Sequence, residues 1–359
     1  MDSNAGQPVT YVPRHDSGTL LAPQGSRTQA LIGFDDDYID IVDYIIRCTH
    51  RIWEQRRIDL IHSHYAADCV VHTLAGRIQG VASVVEGTLA TLASFPDRTL
   101  FGDHVIWAHD AVDDSYFTSH RITSHMTHRG HGELGAPTGR RATIRTIADC
   151  RIRRNRIFEE WLVRDNMSLV LQLGLNPWQI AEEQLRRTPG TDTRSEWLAL
   201  ECERTTTTAK VIPTAPIRDP AHPAQSLASA VFGHAVNARA LAVIHDLYAP
   251  GCLMHGPSGR ELVGCDEVIG FIVWLLGAFP DALISIDRVT SLCDPHAPGV
   301  TDIAVRWSLT GTHSGYSLGI SPTGRRAWLL AVSHWRVVDG MIIEDWTVFD
   351  ELALLRQLL

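Results

Sequence analysis

Apolar and polar positions along the chain fall into two periods, and the same succession of periods occurs twice. Ile41, Ile45, Ile46, Ile52 and Trp53 recur at helical spacing and predict an amphipathic helix early in the first copy. A short second helix is expected over 59–65, followed by a turn and a strand through Ala66-Ala67-Asp68-Cys69-Val70-Val71-His72. Val84, Val85, Leu89 and Leu92 predict a third helix, opened at Gly80 and stopped by the proline of Phe95-Pro96-Asp97. The period then becomes strand-like over 121–131, 142–151 and 156–165. Later the order returns: Ile244 to Cys252 matches Ile61 to Cys69, Gly264 matches Gly80, and Phe279-Pro280-Asp281 matches Phe95-Pro96-Asp97. The second set of strands is expected over 306–316, 327–337 and 341–349.

Both copies close in the same way. The stretches 158–173 and 343–358 are each a strand-like run ending in Asp, then an apolar run closing on Gln-Leu. Asp165 and Asp350 mark the junctions, and the offset of 185 holds without a gap. In the strand period Glu344, Trp346, Val348 and Asp350 share one face, while Leu352, Leu355 and Leu358 fit a helix. An Asp at such a junction is a helix N-cap, a carboxylate at the mouth of a pocket, or both. Pro137-Thr138-Gly139-Arg140-Arg141 recurs as Pro322-Thr323-Gly324-Arg325-Arg326 and suits a tight turn. Asp339-Gly340 is a strong two-residue hairpin signal, and its counterpart Arg154-Asn155 a weaker one.

These periods divide the chain into a flexible or loosely docked arm over 1–34, a first domain over 35–185, a linker over 186–225 and a second domain over 226–359. Within the linker a short helix is expected over 196–204, because Trp197 and Leu198 need somewhere to pack. Helices followed by strands indicate an α+β class. The expected architecture is a tandem duplication of a cone-shaped α+β barrel, a curved antiparallel sheet wrapped around helices. Glycines over 311–319 would supply its bends.

Composition narrows the function. A net charge of −9 and a pI near 6.0 disfavour a nucleic-acid surface. No stretch approaches a membrane span. The first residues lack a basic region followed by an apolar core, so a cytoplasmic protein is expected. Seven scattered cysteines without a Cys-x-x-Cys pair read as reduced thiols, with Cys69 and Cys252 at equivalent places in buried packing. Phosphate-loop, Gly-x-Gly-x-x-Gly and Gly-x-Ser-x-Gly motifs are absent. His120, His125, His128 and His131 cluster in sequence, but a strand sends them to opposite faces, so neither metal nor any other cofactor is expected.

Thr310-Gly311-Thr312-His313-Ser314-Gly315-Tyr316, Pro322-Thr323-Gly324-Arg325, Arg336-Val337-Val338-Asp339-Gly340, Glu344-Asp345-Trp346 and the run from Asp350 to Leu358 resemble the SnoaL-like polyketide cyclase family, within the nuclear transport factor 2-like superfamily. The resemblance spans about 120 residues in each half, clear in the second and partial in the first. It implies a cone with an apolar pocket and cofactor-free acid–base chemistry, commonly an intramolecular aldol closure. It also implies an acid/base Asp at the end of the last long strand, which falls on Asp350 and, through the repeat, Asp165. Isomerases, dehydratases, epoxide hydrolases, C–C lyases and non-catalytic binding modules share the superfamily, so these remain alternatives.

Aldol chemistry needs a base for a proton next to a carbonyl and donors for the oxyanion. Trp346, Phe349 and Trp335 would surround Asp350 with apolar groups and raise its pKa. Trp161 would do so for Asp165, although the guanidinium of Arg164 would lower it. Asp350 is therefore the expected working base. His313 and His128 would donate to an enolate, or be strand histidines bonded to a neighbouring strand. Glu344 and Glu159 are either second pocket carboxylates or partners of arginines, Glu344 pairing with Arg306 or Arg336. Arg306 and Arg121 would hold a substrate carboxylate or neutralise those glutamates. The expected partner is a small hydrophobic carbonyl or polyol substrate. No nucleic acid or membrane partner is expected. The two halves are expected to form an internal pseudo-dimer, with further homo-oligomerisation open.

Overall fold

The structure is a computed structural model that describes residues 9–22, 25–187, 192–209 and 219–359. Two compact units divide the chain, one of residues 1–164 with 169–175, the other of 165–168 with 176–359.

The first unit begins with a short helix, α1 (Ser17–Leu21), in the stretch read as a loose arm. Tyr11 and Val12 just before it are buried, and Tyr11 sets its ring edge-on to His104 at 5.4 Å. Helix α2 (Ile41–Trp53) starts where Asp40 accepts a hydrogen bond from the Asp43 amide, and its Ile41, Val42, Ile45, Ile46 and Ile52 face inward. Then come α3 (Asp59–His64), β1 (Tyr65–Thr73), β2 (Gly76–Gln79) and α4 (Val81–Ser94). Four strands complete the sheet: β3 (Thr99–Asp110), β4 (Ser115–Thr127), β5 (Arg141–Arg153) and β6 (Arg156–Arg164). Their order is β2-β1-β6-β5-β4-β3, and all pairs are antiparallel except β1 with β6. Helix α5 (Asn166–Gln172) follows, and the next helix, α6 (Pro177–Arg187), belongs to the second unit.

The second unit repeats this plan. Helix α7 (Asp192–Ala209) is longer than the 196–204 expected, and packs on the sheet of this unit. Trp197 meets Trp328 edge-on at 5.3 Å, and Thr205 accepts from the Trp328 indole at 3.0 Å. Its threonines are tolerated because Thr206 and Thr208 bond back to carbonyls four residues earlier. Pro213 and Pro216 of the expected linker lie outside the described residues. Helix α8 (Pro223–Ala228) runs on as π-helical turns over Ser229–Asn237, which bury Phe232. The rest is α9 (Ile244–Leu247), β7 (Tyr248–His255), β8 (Glu261–Val263), α10 (Cys265–Ala278), β9 (Leu283–Cys293), β10 (Val300–Thr312), β11 (Arg326–Val338), β12 (Met341–Phe349) and α11 (Glu351–Leu358). The sheet order β8-β7-β12-β11-β10-β9 is that of the first unit, again with one parallel pair, β12 with β7.

Each unit is thus a cone-shaped α+β fold, and the chain is a tandem duplication of it. The expected sheet was antiparallel throughout; the single parallel pair arises because β1 and β7 enter the sheet from a helix rather than a hairpin. Strands β3 and β9 were not anticipated, since Val105, Ile106 and Trp107 form a continuous apolar run instead of alternating. The sheet irregularities fall between Tyr65 and Val70, Gly102 and His104, Arg151 and Ile152, Arg306 and Trp307, Arg336 and Val337, and Ile342 and Glu344, not in the glycine stretch 311–319. Gly315 instead serves the loop after β10. A Cβ on Gly315 would lie 1.8 Å from the Gly277 carbonyl oxygen, and one on Gly130 would lie 1.8 Å from that of Ala93. This close approach lets the loop amides of Ser314 and Gly315 cap the Ala278 carbonyl, and those of Arg129 and Gly130 the Ser94 carbonyl. Both hairpin turns take φ > 0 at both central residues, 49° and 78° at Asp339-Gly340, 48° and 68° at Arg154-Asn155.

Candidate active site

Strand alternation decides which side chains face each interior. In β6 the inward set is Glu160, Leu162 and Arg164, which line an apolar cavity of about 150 Å³ in the first unit. Facing them are His120 and Ile122 from β4, and Thr146, Ala148 and Cys150 from β5. Helices α2 and α4 contribute Ile45, Cys48, Thr49, Trp53, Val84 and Thr88. Glu160 is 7% exposed and receives one hydrogen bond among the described residues, from the Tyr65 hydroxyl at 3.0 Å. Burial raises its pKa above the ordinary carboxylate range, opposed by Tyr65 and by the charge of Arg164. Arg98 and His120 are further polar groups of the lining. Burial pushes the His120 imidazole down to about 3, so it is neutral, and its Nε2 has no hydrogen-bond partner among the described residues.

The second unit places Asp345 where the first has Glu160, and Tyr248 where the first has Tyr65. Its cavity is only about 40 Å³. The difference follows from substitution on the inward faces. Trp307 stands for Ile122, Trp335 for Cys150, Phe349 for Arg164, Ala331 for Thr146 and Val305 for His120. Phe232 fills further space, stacked on Trp335 at 5.7 Å and tilted against Trp307 at 5.0 Å. Asp345 is fully engaged: the Tyr248 hydroxyl donates at 2.8 Å and the Thr347 hydroxyl at 2.7 Å. Ser333 in turn donates to Thr347, and the Trp307 indole to Ser333. Burial still pushes Asp345 up to about 6.

The four catalytic candidates singled out from the sequence, Asp350, Asp165, His313 and His128, line neither cavity. Asp350 caps α11 by accepting from the Ala353 amide at 3.0 Å, and also accepts from the Asn166 side chain at 2.6 Å. Asp165 accepts from the amides of Ser168, Ser258 and Gly259 at 3.1, 3.0 and 3.2 Å. Burial raises both, Asp165 to about 6. The expected lowering of Asp165 by Arg164 is corrected: neighbours along a strand diverge, and the Arg164 side chain lines the cavity with Glu160. His313 and His128 line neither cavity. The His313 Nδ1 accepts from the Thr323 amide at 3.2 Å, so its Nε2 carries the hydrogen and donates to Ser317 at 2.9 Å. Likewise the His128 Nδ1 accepts from the Thr138 amide at 3.3 Å. Burial lowers both imidazole pKa values. The repeated Thr-His and Pro-Thr-Gly segments are therefore a loop clamp.

Glu159 and Trp161 occupy the opposite face of β6 from Glu160. His72 reaches Glu159 at 3.2 Å and stacks on Trp161 at 5.0 Å. In the second unit His255 does the same with Glu344 at 3.0 Å and Trp346 at 5.4 Å. The partner found for Glu344 is thus His255, while Arg336 pairs with Asp294 at 2.8 Å. Arg121 and Arg306 are buried on β4 and β10. Phe349 is fully buried against Phe271 and Trp307, and Trp335 lines the cavity near Asp345, not the surroundings of Asp350. All seven cysteines are free thiols, six of them buried. His120, His125, His128 and His131 are divided between β4 and the loop after it, and no group of three or more metal-ligating side chains occurs among the described residues. No helix among them is long and apolar enough to cross a membrane.

Two tandem cones, each with a buried carboxylate under a tyrosine, define a duplicated protein of the nuclear transport factor 2-like fold. The chain belongs to the SnoaL-like polyketide cyclase family, whose sequence profile matches residues 44–173 and 226–358. Similar solved structures include a candidate SnoaL-like polyketide cyclase from Jannaschia sp. CCS1, 22% identical, covering 41% of this chain and 96% of that one with a TM-score of 0.34. IdmH, a candidate polyketide cyclase from Streptomyces antibioticus, is 26% identical over 38% of this chain and 97% of its own, with a TM-score of 0.33. AclR from Streptomyces galilaeus, a candidate hydroxylase, is 26% identical over 39% and 82%, also at 0.33. No curated protein matches the chain.

Proposed function

We propose that the first unit is a cofactor-independent acid–base site in which Glu160 removes a proton next to a carbonyl of a small hydrophobic substrate. The reaction class is aldol-type C–C bond formation or cleavage. One observation carries the reading: a buried glutamate with a single hydrogen bond faces an apolar cavity of about 150 Å³. Tyr65 orients one carboxylate oxygen, and Oε1 accepts no hydrogen bond among the described residues. Burial supplies the raised basicity that proton abstraction from carbon needs. An apolar cavity of such a volume holds about one benzene-sized ring. That size favours a lyase or isomerase acting on one ring or a short chain over closure of a polycyclic skeleton. Asp165 and Asp350 are helix caps in this reading, and the second unit is structural. Deuterium exchange at the α-carbon of cyclohexanone, followed by NMR in D2O, tests it. Glu160→Gln should lower the protein-catalysed exchange about 10²–10⁴-fold. Unchanged exchange in that variant would reject Glu160 as the base.

A further inference from the structure

Arg98 lies in the first unit between α4 and β3 and is 4% exposed. Buried arginines are ordinarily paired with a carboxylate, because an isolated charge out of water is costly. Arg98 has none. Its guanidinium donates one hydrogen bond, to the Ser124 hydroxyl at 3.0 Å, and sits over the Trp53 ring at 4.5 Å. Its Nε has no partner among the described residues. The charges that act on it are those of Arg164 and Arg56, both repulsive, and with burial they bring it down to about 9, so it stays protonated at neutral pH. The same side chain lines the cavity that holds Glu160.

A protonated guanidinium held against an apolar wall, with donors unused, is an incomplete ion pair. The missing half is an anion small enough for the cavity. A carboxylate matches the planar fork of an arginine, which can donate two parallel hydrogen bonds to it. We propose that Arg98 is the anchor for the carboxylate of the substrate, which is therefore a small monocarboxylic acid whose otherwise apolar ring or branched body carries the reacting carbonyl. This assignment rests on the acid–base reading of the same cavity and sharpens it: the carboxylate is held at Arg98 and the body of the acid is presented to Glu160. The second unit has Ala282 at the corresponding position, immediately after its Phe-Pro-Asp, and its cavity is filled, so the anion site belongs to the first unit alone.

Calorimetric titration of the full chain with benzoate and with benzamide, its uncharged counterpart of the same shape, tests the anchor without any turnover. Wild-type protein should bind benzoate at least tenfold more tightly than benzamide. Arg98→Met should weaken benzoate at least tenfold and leave benzamide within about threefold. Equal affinity for the two ligands, no benzoate binding, or unchanged benzoate binding in Arg98→Met would each overturn the proposal. If Arg98→Met does not fold, the benzoate-to-benzamide ratio of the wild type decides alone. The two readings fail separately. Selective benzoate binding with exchange unaffected by Glu160→Gln keeps the anion site and rejects the base. Exchange lost in Glu160→Gln without preference for benzoate keeps the base and rejects the anchor.

Discussion

Glu160 and Asp345 occupy equivalent strand positions under equivalent tyrosines, yet one carries a single hydrogen bond and the other ends a chain of donors through Thr347, Ser333 and Trp307. A working base needs a free lone pair, which singles out Glu160. Because burial raises its pKa, the exchange rate should rise with pH through a limb lying above about 4.3, the ordinary glutamate value. A pH–rate profile measures this, and a limb at or below that value would contradict the burial argument. The two capping aspartates should behave differently. Asp165→Ala and Asp350→Ala each remove a carboxylate from a helix start and should cost about 0.5–2 kcal/mol in urea melts. Asp350→Asn, which retains a capping oxygen, should keep the exchange rate within about twofold. The carboxylate at the strand end was legible in the sequence; the one that faces the cavity was not. Glu159-Glu160 and Glu344-Asp345 place two acids side by side, and a step of one residue along a strand moves every side chain to the other face. The inward face is fixed by partners such as His120 and Thr146 on distant strands, which no local period reveals.

At the level of elements, the residues that carried the family likeness turn out to hold loops. Gly130 and Gly315 sit against helix-end carbonyls, and His128 and His313 hold the Pro-Thr-Gly turns. Gly315→Ala should therefore destabilise the second unit by about 1–3 kcal/mol through overpacking against backbone that cannot move aside. Gly251→Ala, in β7 with open space around it, should be neutral or slightly stabilising. Thermal denaturation of both variants checks the contrast, and equal effects would mean that the close approach is not used. Helices α2, α4 and α10, the final three strands of each sheet and both hairpins followed from period and turn chemistry, because those signals are local. The parallel pairing of β1 with β6, and strands β3 and β9, depend on long-range partners or lack alternation, and so escaped it.

For the whole molecule, duplication has given two cones of one topology and opposite interiors, one open and polar at a few points, the other filled by Trp307, Trp335, Phe349 and Phe232. Removal of the second carboxylate should leave chemistry intact and change stability. In Asp345→Asn the exchange of cyclohexanone should stay within about twofold of wild type. The stability effect has a defined sign. Asp345 titrates at about 6 when folded and near 3.9 when unfolded, so the folded protein holds the proton more tightly. Its stabilising contribution is complete below about 3.9 and is lost as pH rises through about 6. The loss over that window is on the order of 2–3 kcal/mol, because two states differing by about two pKa units are coupled to folding. Asparagine cannot titrate, so this component disappears in the variant. Asp165 titrates in the same window and contributes equally to both proteins, which is why the difference between wild type and variant, not either curve alone, is the measurement. Urea melts at pH 4.5 and 7.5 should show the variant gaining on the wild type at the higher pH. A difference that is the same at both pH values would mean that Asp345 stays ionised throughout, with its network of donors outweighing its burial.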